Sequence, residues 1–127
     1  MKTFSKHWRS SKNLKKQKKY RYNAPLHIRK NMLAVNLSKE LRKRFGRRSI
    51  PVRKGDRVTI MRGDFKKKSG KVDRVDHKKL MVYIESIEKT KRDGTKVRPG
   101  IQPSNIQLVD VVTDDKKRKK LLERTKK

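Results

Sequence analysis

Hydrophobic residues alternate with polar ones in the middle of the chain, which indicates β-structure there. Val58 and Ile60 are separated by one polar residue, the two-residue period of a half-buried strand. The same period is clearest further on, where Leu80, Val82 and Ile84 would share one face of a strand. The middle of the chain is therefore where a sheet is predicted.

Other features add three more strands to these two. A strand is predicted after Gly70, marked by Val72 and Val75, and a short return strand begins at Val97 behind an Asp-Gly turn at 92–95. The last strand is predicted over residues 106–112. Five short strands in about 60 residues predict a small, strongly bent barrel, whose closure would hide the sheet edges.

The flanking segments carry helix signals instead. Ser38 is a candidate N-cap for a short helix with Leu41 and Phe45 on one face and Gly46 at its end. A threonine and two aspartates at 113–115 would begin a second helix, because acidic residues favour a helix N-terminus. The predicted fold is mainly β, with short flanking helices.

Charge divides the 127 residues into three zones. The chain has 41 Lys and Arg against 12 Asp and Glu, a formal charge of +29, and only 31% hydrophobic residues. We predict a basic N-terminal extension at 1–50 with a short helix near 38–45, a barrel at 51–112, and a basic C-terminal helix or tail at 113–127. Residues 1–23 carry Lys or Arg at nearly every other position and are expected to be disordered in the free protein.

Several function classes are excluded by what the chain lacks. It has no cysteine, and His7, His27 and His77 stand at no metal-ligand spacing. Its first residues form no signal peptide, and no apolar run reaches the length of a membrane span, so we expect a soluble intracellular protein with no membrane partner. Ser69 beside Lys68 is not a nucleophile and base, so neither catalysis nor a small-molecule substrate is expected.

The most informative run is the basic loop between Gly63 and Gly70. Its lysines are candidates for phosphate contacts, because a strongly cationic protein attracts polyanions. The glycines would let backbone N–H groups approach phosphate oxygens. Phe65 either packs on the barrel or stacks on an unpaired base.

Arginines and acidic residues near this loop have two interpretations each. Arg53, Arg57 and Arg62 either fork onto phosphates or pair with Asp56, Asp64 or Asp73. Asp56 itself is expected to cap its turn.

Outside the loop the same choice recurs. Trp8, Tyr20 and Tyr22 lie among cations and either stack on bases or pack against a neighbouring protein. His27 is structural or contacts a phosphate. Ser104 and Asn105 are expected to satisfy local backbone groups.

Three ordered groups of residues resemble a known family. They are 24–27 with 37–42, then 54–58, 62–65 and 69–72, and finally 103–106. The middle group resembles the KOW motif, and all three together are similar to large-subunit ribosomal protein twenty-four in its archaeal and eukaryotic form, numbered twenty-six in eukaryotic cytosolic ribosomes. The chain departs from the family pattern at Lys67, where a glycine is frequent, and at Gln102, where a histidine is frequent.

The resemblance implies an SH3-like barrel that binds the 5′ portion of large-subunit rRNA early in assembly. It implies a position near the nascent-chain tunnel exit of the cytoplasmic ribosome, beside neighbouring ribosomal proteins and within reach of nascent-chain factors. It implies no catalytic role and no cofactor, with Mg²⁺ only as an rRNA-associated ion.

Together with the charge pattern, the resemblance gives a set of candidate RNA-binding residues. They are Lys15, Lys16, Lys18, Lys19, Arg21, Tyr22, His27, Arg29, Lys30, Arg47, Arg48, Arg53, Lys54, Arg62, Gly63, Phe65, Lys66, Lys67, Lys68, Gly70 and Lys71.

Two rival functions bind nucleic acid by other means. A transcription factor can carry a KOW motif, but it usually joins the motif to a separate acidic or mixed domain, which this chain lacks. An architectural DNA-binding protein would prefer duplex of any sequence, whereas rRNA is recognised through folded shape, 2′-OH groups and irregular loops.

Overall fold

The structure is a computed structural model that describes residues 4–5, 7–8 and 11–124. Parts of the predicted extension (1–3, 6, 9 and 10) and of the predicted tail (125–127) lie outside the described residues. The helices are α1 (Leu14–Asn23), α2 (Leu26–Met32), α3 (Lys39–Phe45) and α4 (Lys116–Glu123), with a 3-10 turn at Pro103–Asn105. The strands are β1 (Ala34–Leu37), β2 (Ser49–Pro51), β3 (Arg57–Ile60), β4 (Ser69–Asp76), β5 (Met81–Ile84), β6 (Lys89–Thr90), β7 (Lys96–Val97) and β8 (Ile106–Asp110).

All five predicted strands are present, as β3, β4, β5, β7 and β8. The Asp-Gly turn lies where it was predicted, with Gly94 at φ +84° and the Thr95 backbone N–H donating to the Asp93 carboxylate. The return strand β7 pairs only with β6, in a separate two-stranded sheet. The structure mixes helices and strands around a six-stranded sheet, which is consistent with the predicted small, mainly β domain.

The expected closed barrel is not what the described residues form. Six strands make one open sheet in the order β2-β1-β8-β3-β4-β5, in which β1 and β8 are parallel and all other neighbours antiparallel. β2 ends at Pro51, which lacks the N–H that a further strand would need. At the other edge, Val82 of β5 exchanges two backbone hydrogen bonds with Ile101 (2.9 and 2.8 Å). Both edges are thus protected without closure.

Two strands of the sheet come from residues that were predicted to be extension. β1 and β2 were missed because each is short and lies in a strongly basic stretch, where charge obscures the pattern. The signal is nevertheless there: Val35, Leu37 and Ile50 are buried and Asn36 between the first two is exposed. Hydrophobic alternation over four residues outweighs local charge once a partner strand is available.

The N-terminal segment is also more ordered than predicted. α1 begins after Asn13, whose side chain accepts a hydrogen bond from the Lys15 backbone N–H (3.0 Å). Trp8 stacks on Tyr20 with ring centroids 4.2 Å apart, and Phe4 lies 4.9 Å from the same ring. None of the α1 residues is buried. Capping and aromatic stacking stabilise this helix, which charge counting did not anticipate.

Both predicted flanking helices are present, but α4 is capped by Asp115 and not by the threonine at 113. In α3 the Ser38 hydroxyl accepts from the Leu41 N–H (3.3 Å), and Gly46 ends the helix in the left-handed conformation. In α4 the Asp115 carboxylate accepts from the Lys117 N–H (2.8 Å). Leu122 of α4 packs into the core of the sheet.

One buried ion pair joins α4 to the turn before β3. The guanidinium of Arg118 donates to both carboxylate oxygens of Asp56, at 2.7 and 2.6 Å. Both residues are buried, at 4% and 0% exposure. Asp56 also accepts from the backbone N–H groups of Arg53 (2.9 Å) and Val112 (3.1 Å), which caps the turn as predicted. Three chain segments therefore meet at one carboxylate.

This arrangement predicts strong coupling between Asp56 and Arg118. Removing either partner leaves a buried charge unpaired, so Asp56→Ala or Arg118→Met should each lower the free energy of unfolding by about 3–5 kcal/mol. The double variant should lose about 1–3 kcal/mol less than the sum. Chemical denaturation of all four proteins measures this. Lys117→Met, at an exposed neighbouring site, is the control and should change little. Additive losses would contradict the coupling.

Candidate nucleic-acid interface

The basic loop between β3 and β4 is held by its own backbone. The Ile60 N–H donates to the Lys68 carbonyl and the Lys67 N–H to the Ile60 carbonyl, both at 2.8 Å. Two tighter turns lie inside, from Lys66 N–H to Gly63 and from Lys68 N–H to Phe65 (both 3.1 Å). The loop is therefore a fixed projection from the sheet.

Its three successive lysines all point to solvent. Lys66, Lys67 and Lys68 are exposed, and within the described part of the chain none of them belongs to an ion pair. Phe65 is half-buried against the core, with the Lys68 Nζ 5.4 Å from its ring centroid. Packing, one of the two interpretations of Phe65, is thus observed.

The two glycines of the loop have different structural roles. Gly63 has φ +91° and open space where a Cβ would stand. At Gly70 a Cβ would lie 2.6 Å from the Ile84 Cγ2 and 2.2 Å from the Ser86 Oγ. Gly70 is therefore required for close packing of β4 on the chain after β5, a role that the sequence did not predict. Its RNA contact stays a prediction.

Lys67 adopts φ +70°, the left-handed region that favours glycine. It is one of the two positions at which the sequence departs from the family pattern that it resembles. The side chain therefore adds a cation to the loop at some conformational cost.

We predict that Lys67→Gly leaves the folding stability unchanged or raises it by up to about 1 kcal/mol, because relief of the left-handed strain offsets the flexibility of glycine. Lys66→Gly is the matched control. Its backbone is not in the left-handed region, so it should lose about 0.5–1 kcal/mol. Thermal unfolding compares the two. Equal losses in both variants would show that the conformation of Lys67 carries no strain.

The arginines near the loop divide into two groups. Arg53 pairs with Asp115, the N-cap of α4, rather than with any aspartate proposed from the sequence. That hydrogen bond, with one from the Lys117 backbone N–H, lowers the pKa of the Asp115 carboxyl. Arg57 and Arg62 are exposed and take part in none of the ion pairs among the described residues. They remain candidates for phosphate contacts.

Four more candidate cations lie outside the loop, two of them beside the turn at Gly55. Lys54 is exposed in the turn, and Lys71 is exposed on β4 with its Cε near Gly55. Arg48 is exposed and Arg47 is half-buried in the connection from α3 to β2.

The N-terminal candidates form a second cationic surface. In α1, five cations are exposed: Lys15, Lys16, Lys18, Lys19 and Arg21. Tyr22 is 82% exposed, and His27 and Lys30 of α2 are exposed as well. Arg29 differs, because its guanidinium donates to the carbonyls of Ala24 (2.9 Å), Lys78 (3.2 Å) and Tyr22. Arg29 thus fixes α2 against the turn after β4, a structural role.

The structure also reveals a cation that the sequence analysis did not single out. Arg74 of β4 lies over the ring of Tyr83 on β5, with Cζ 4.5 Å from the centroid. No motif marks this pair; only the pairing of β4 with β5 brings the two side chains together.

The described residues contain no group of three or more His, Cys, Asp or Glu side chains arranged to hold a metal ion. Among the same residues, no helix is long and apolar enough to cross a membrane.

The sheet presents exposed cations on a fixed loop and on an exposed helix, which is typical of a nucleic-acid-binding protein. The family model for eukaryotic ribosomal proteins L26 and their archaeal counterparts, numbered twenty-four, matches residues 11–125. Large ribosomal subunit protein uL24 of Methanosphaera stadtmanae is 46% identical over 114 residues, which cover 90% of this chain and 97% of that protein. The uL24 of Korarchaeum cryptofilum is 45% identical over 109 residues, covering 86% and 83%. The chain belongs to this family of large-subunit ribosomal proteins.

Membership confirms the resemblance and the non-enzymatic role predicted from the sequence. The protein is a structural constituent of the large ribosomal subunit. The rival interpretations as a transcription factor or an architectural DNA-binding protein are set aside, because the family match extends over nearly the whole chain rather than over a KOW-like segment alone.

Proposed function

We propose that the protein binds large-subunit rRNA and that two cationic surfaces share this task. The observation that carries the proposal is the loop from Gly63 to Gly70, which is fixed by backbone hydrogen bonds and presents three successive exposed lysines. A fixed loop loses little conformational entropy on binding, so its cations can meet phosphates at defined positions. In this interpretation the β3–loop–β4 unit serves as a KOW motif within an SH3-like sheet.

The second surface is α1 together with the exposed residues His27 and Lys30 of α2. Its exposed cations can lie between RNA segments and screen phosphates that would otherwise repel one another. α1 buries none of its residues in the fold. The proposed division of labour is that the loop determines position and the N-terminal surface adds electrostatic affinity.

Family membership supports the rest of the proposal. We place the protein near the nascent-chain tunnel exit, where neighbouring ribosomal proteins and nascent-chain factors would be its protein partners, and we assign its binding to an early stage of subunit assembly. It needs no cofactor in this proposal, and Mg²⁺ takes part only as an ion that accompanies rRNA.

Reversing the loop charges tests the proposal. The triple change Lys66→Glu, Lys67→Glu and Lys68→Glu should impair incorporation into large subunits, because it replaces attraction to phosphates by repulsion, while the thermal unfolding transition stays intact. The control is Lys89→Glu, Lys91→Glu and Lys96→Glu in the β6–β7 hairpin, which makes the same change in net charge. Quantitative mass spectrometry of purified subunits measures incorporation. Normal incorporation of the loop variant would refute the loop's role. Equal loss of incorporation in the loop variant and the hairpin variant would show that only the net charge of the protein matters.

Removing residues 1–23 separates the two surfaces. The fold should persist, because none of the α1 residues is buried, whereas affinity for rRNA should fall. If the full chain neutralises on the order of ten phosphates, log K should fall against log salt with a slope of about −7 to −9. The truncated chain should have a shallower slope. Filter binding at several salt concentrations measures both slopes, and loss of the thermal transition on truncation would contradict the proposed division.

A further inference from the structure

A cationic groove crosses the sheet beside α2, on a surface apart from the basic loop. Its volume is about 890 Å³. Lys30 of α2, Lys54 of the turn before β3, Arg74 of β4 and Tyr83 of β5 line it, together with Asp73 and Arg98. We call this surface the α2–β4 groove.

The groove contains a cation–π pair, formed by Arg74 and Tyr83. Arg74 and Tyr83 are register partners on β4 and β5, next to an irregularity in the pairing between Val72 and Arg74. The Arg74 Cζ lies 4.5 Å from the Tyr83 ring centroid. Arg74 is nevertheless exposed, so its guanidinium covers the ring and still reaches solvent. A guanidinium held on an aromatic ring is a ready platform for another planar group.

The charges around this platform are mostly uncompensated. Asp73, the one acid among the lining residues, is engaged by Arg98 at 2.7 Å. Lys30, Lys54 and Arg74 belong to none of the ion pairs that the described residues form. The groove therefore offers a planar stacking surface flanked by two lysines.

We propose that the α2–β4 groove holds one unpaired nucleotide of large-subunit rRNA. Its base stacks on the Arg74 guanidinium over Tyr83, and the adjoining phosphates lie against Lys30 and Lys54. Bases splayed out of RNA loops stack on aromatic and guanidinium planes in this way. A duplex would not place a base on Arg74, because its bases stay stacked within the helix. An acidic peptide could pair with the cations of the groove but would not need the stacking platform. The inference rests on the proposed rRNA binding. It adds to that proposal a binding site and the requirement that the bound nucleotide is unpaired.

The test separates stacking from charge. The full-length chain is titrated with a transcript of the 5′ portion of large-subunit rRNA at several salt concentrations. Arg74→Lys keeps the charge but loses the plane, and Tyr83→Leu removes the support. Each should weaken binding about five- to a hundredfold, the range expected for one stacked base, with an unchanged salt slope.

Lys54→Ala should instead make the slope about 0.7–0.9 less negative, as for one lost phosphate contact. Arg92→Lys, in the exposed β6–β7 turn, is the matched control and should change neither.

Chemical probing of the transcript supplies a second readout. One nucleotide should change its base reactivity in the wild-type complex and not in the Arg74→Lys complex. Thermal unfolding of each variant must match the wild type, so that a folding defect is not read as lost stacking.

Several results would overturn the inference. Unchanged affinity in both Arg74→Lys and Tyr83→Leu would exclude a stacked base and leave Arg74 as a phosphate contact at most. The transcript could also displace polyglutamate equally from the wild type and from Arg74→Lys, while both proteins bind RNA equally well. That result would assign the groove to acidic peptides. These outcomes differ from failure of the proposed function, in which the wild-type chain would bind the transcript no better than unrelated RNA of equal length.

Discussion

The fold depends on a carboxylate that is buried in a chain of charge +29. Asp56 accepts from two backbone N–H groups and from the Arg118 guanidinium, so that the turn before β3, the chain after β8 and α4 all meet there. Without this acid, the guanidinium would be buried without a counter-charge, although it would retain hydrogen bonds to the carbonyls of Val112 and Pro51. The turn at Gly55 is fixed by this junction, because Asp56 also accepts from the Arg53 backbone N–H.

Three other described acids also serve local structure. Asp76 accepts from the backbone N–H groups of Lys79 and Lys78, Asp93 from Thr95, and Asp115 from Arg53 and Lys117, and these hydrogen bonds lower the pKa of each carboxyl. Several of the 12 acids thus fix turns and caps instead of neutralising the surface. The lysines of the loop and of α1 are left available for phosphates.

Sequence patterns predicted the features that depend on near neighbours. Alternation located β3 and β5, and capping residues located α3 and α4. What escaped prediction depends on distant residues: Arg118 reaches Asp56 across 62 positions, Gly70 is constrained by Ile84 and Ser86, and Arg74 meets Tyr83 only through the register of β4 with β5. The loop lysines were identified as candidates by type and spacing alone. Only the structure shows that Arg53 and Arg29 are held in contacts within the fold. It also shows that Arg62 is exposed and outside the described ion pairs.

The most direct test of the account is sedimentation of a cell lysate in about 0.5 M monovalent salt, with this chain followed across the gradient. The Debye length is then only about 4–5 Å, so loosely held polyanion binders are released. The account predicts that the chain stays with the large ribosomal subunit, because fixed surfaces match folded rRNA. Release to the top of the gradient, with retention on chromatin or polymerase at lower salt, would contradict it.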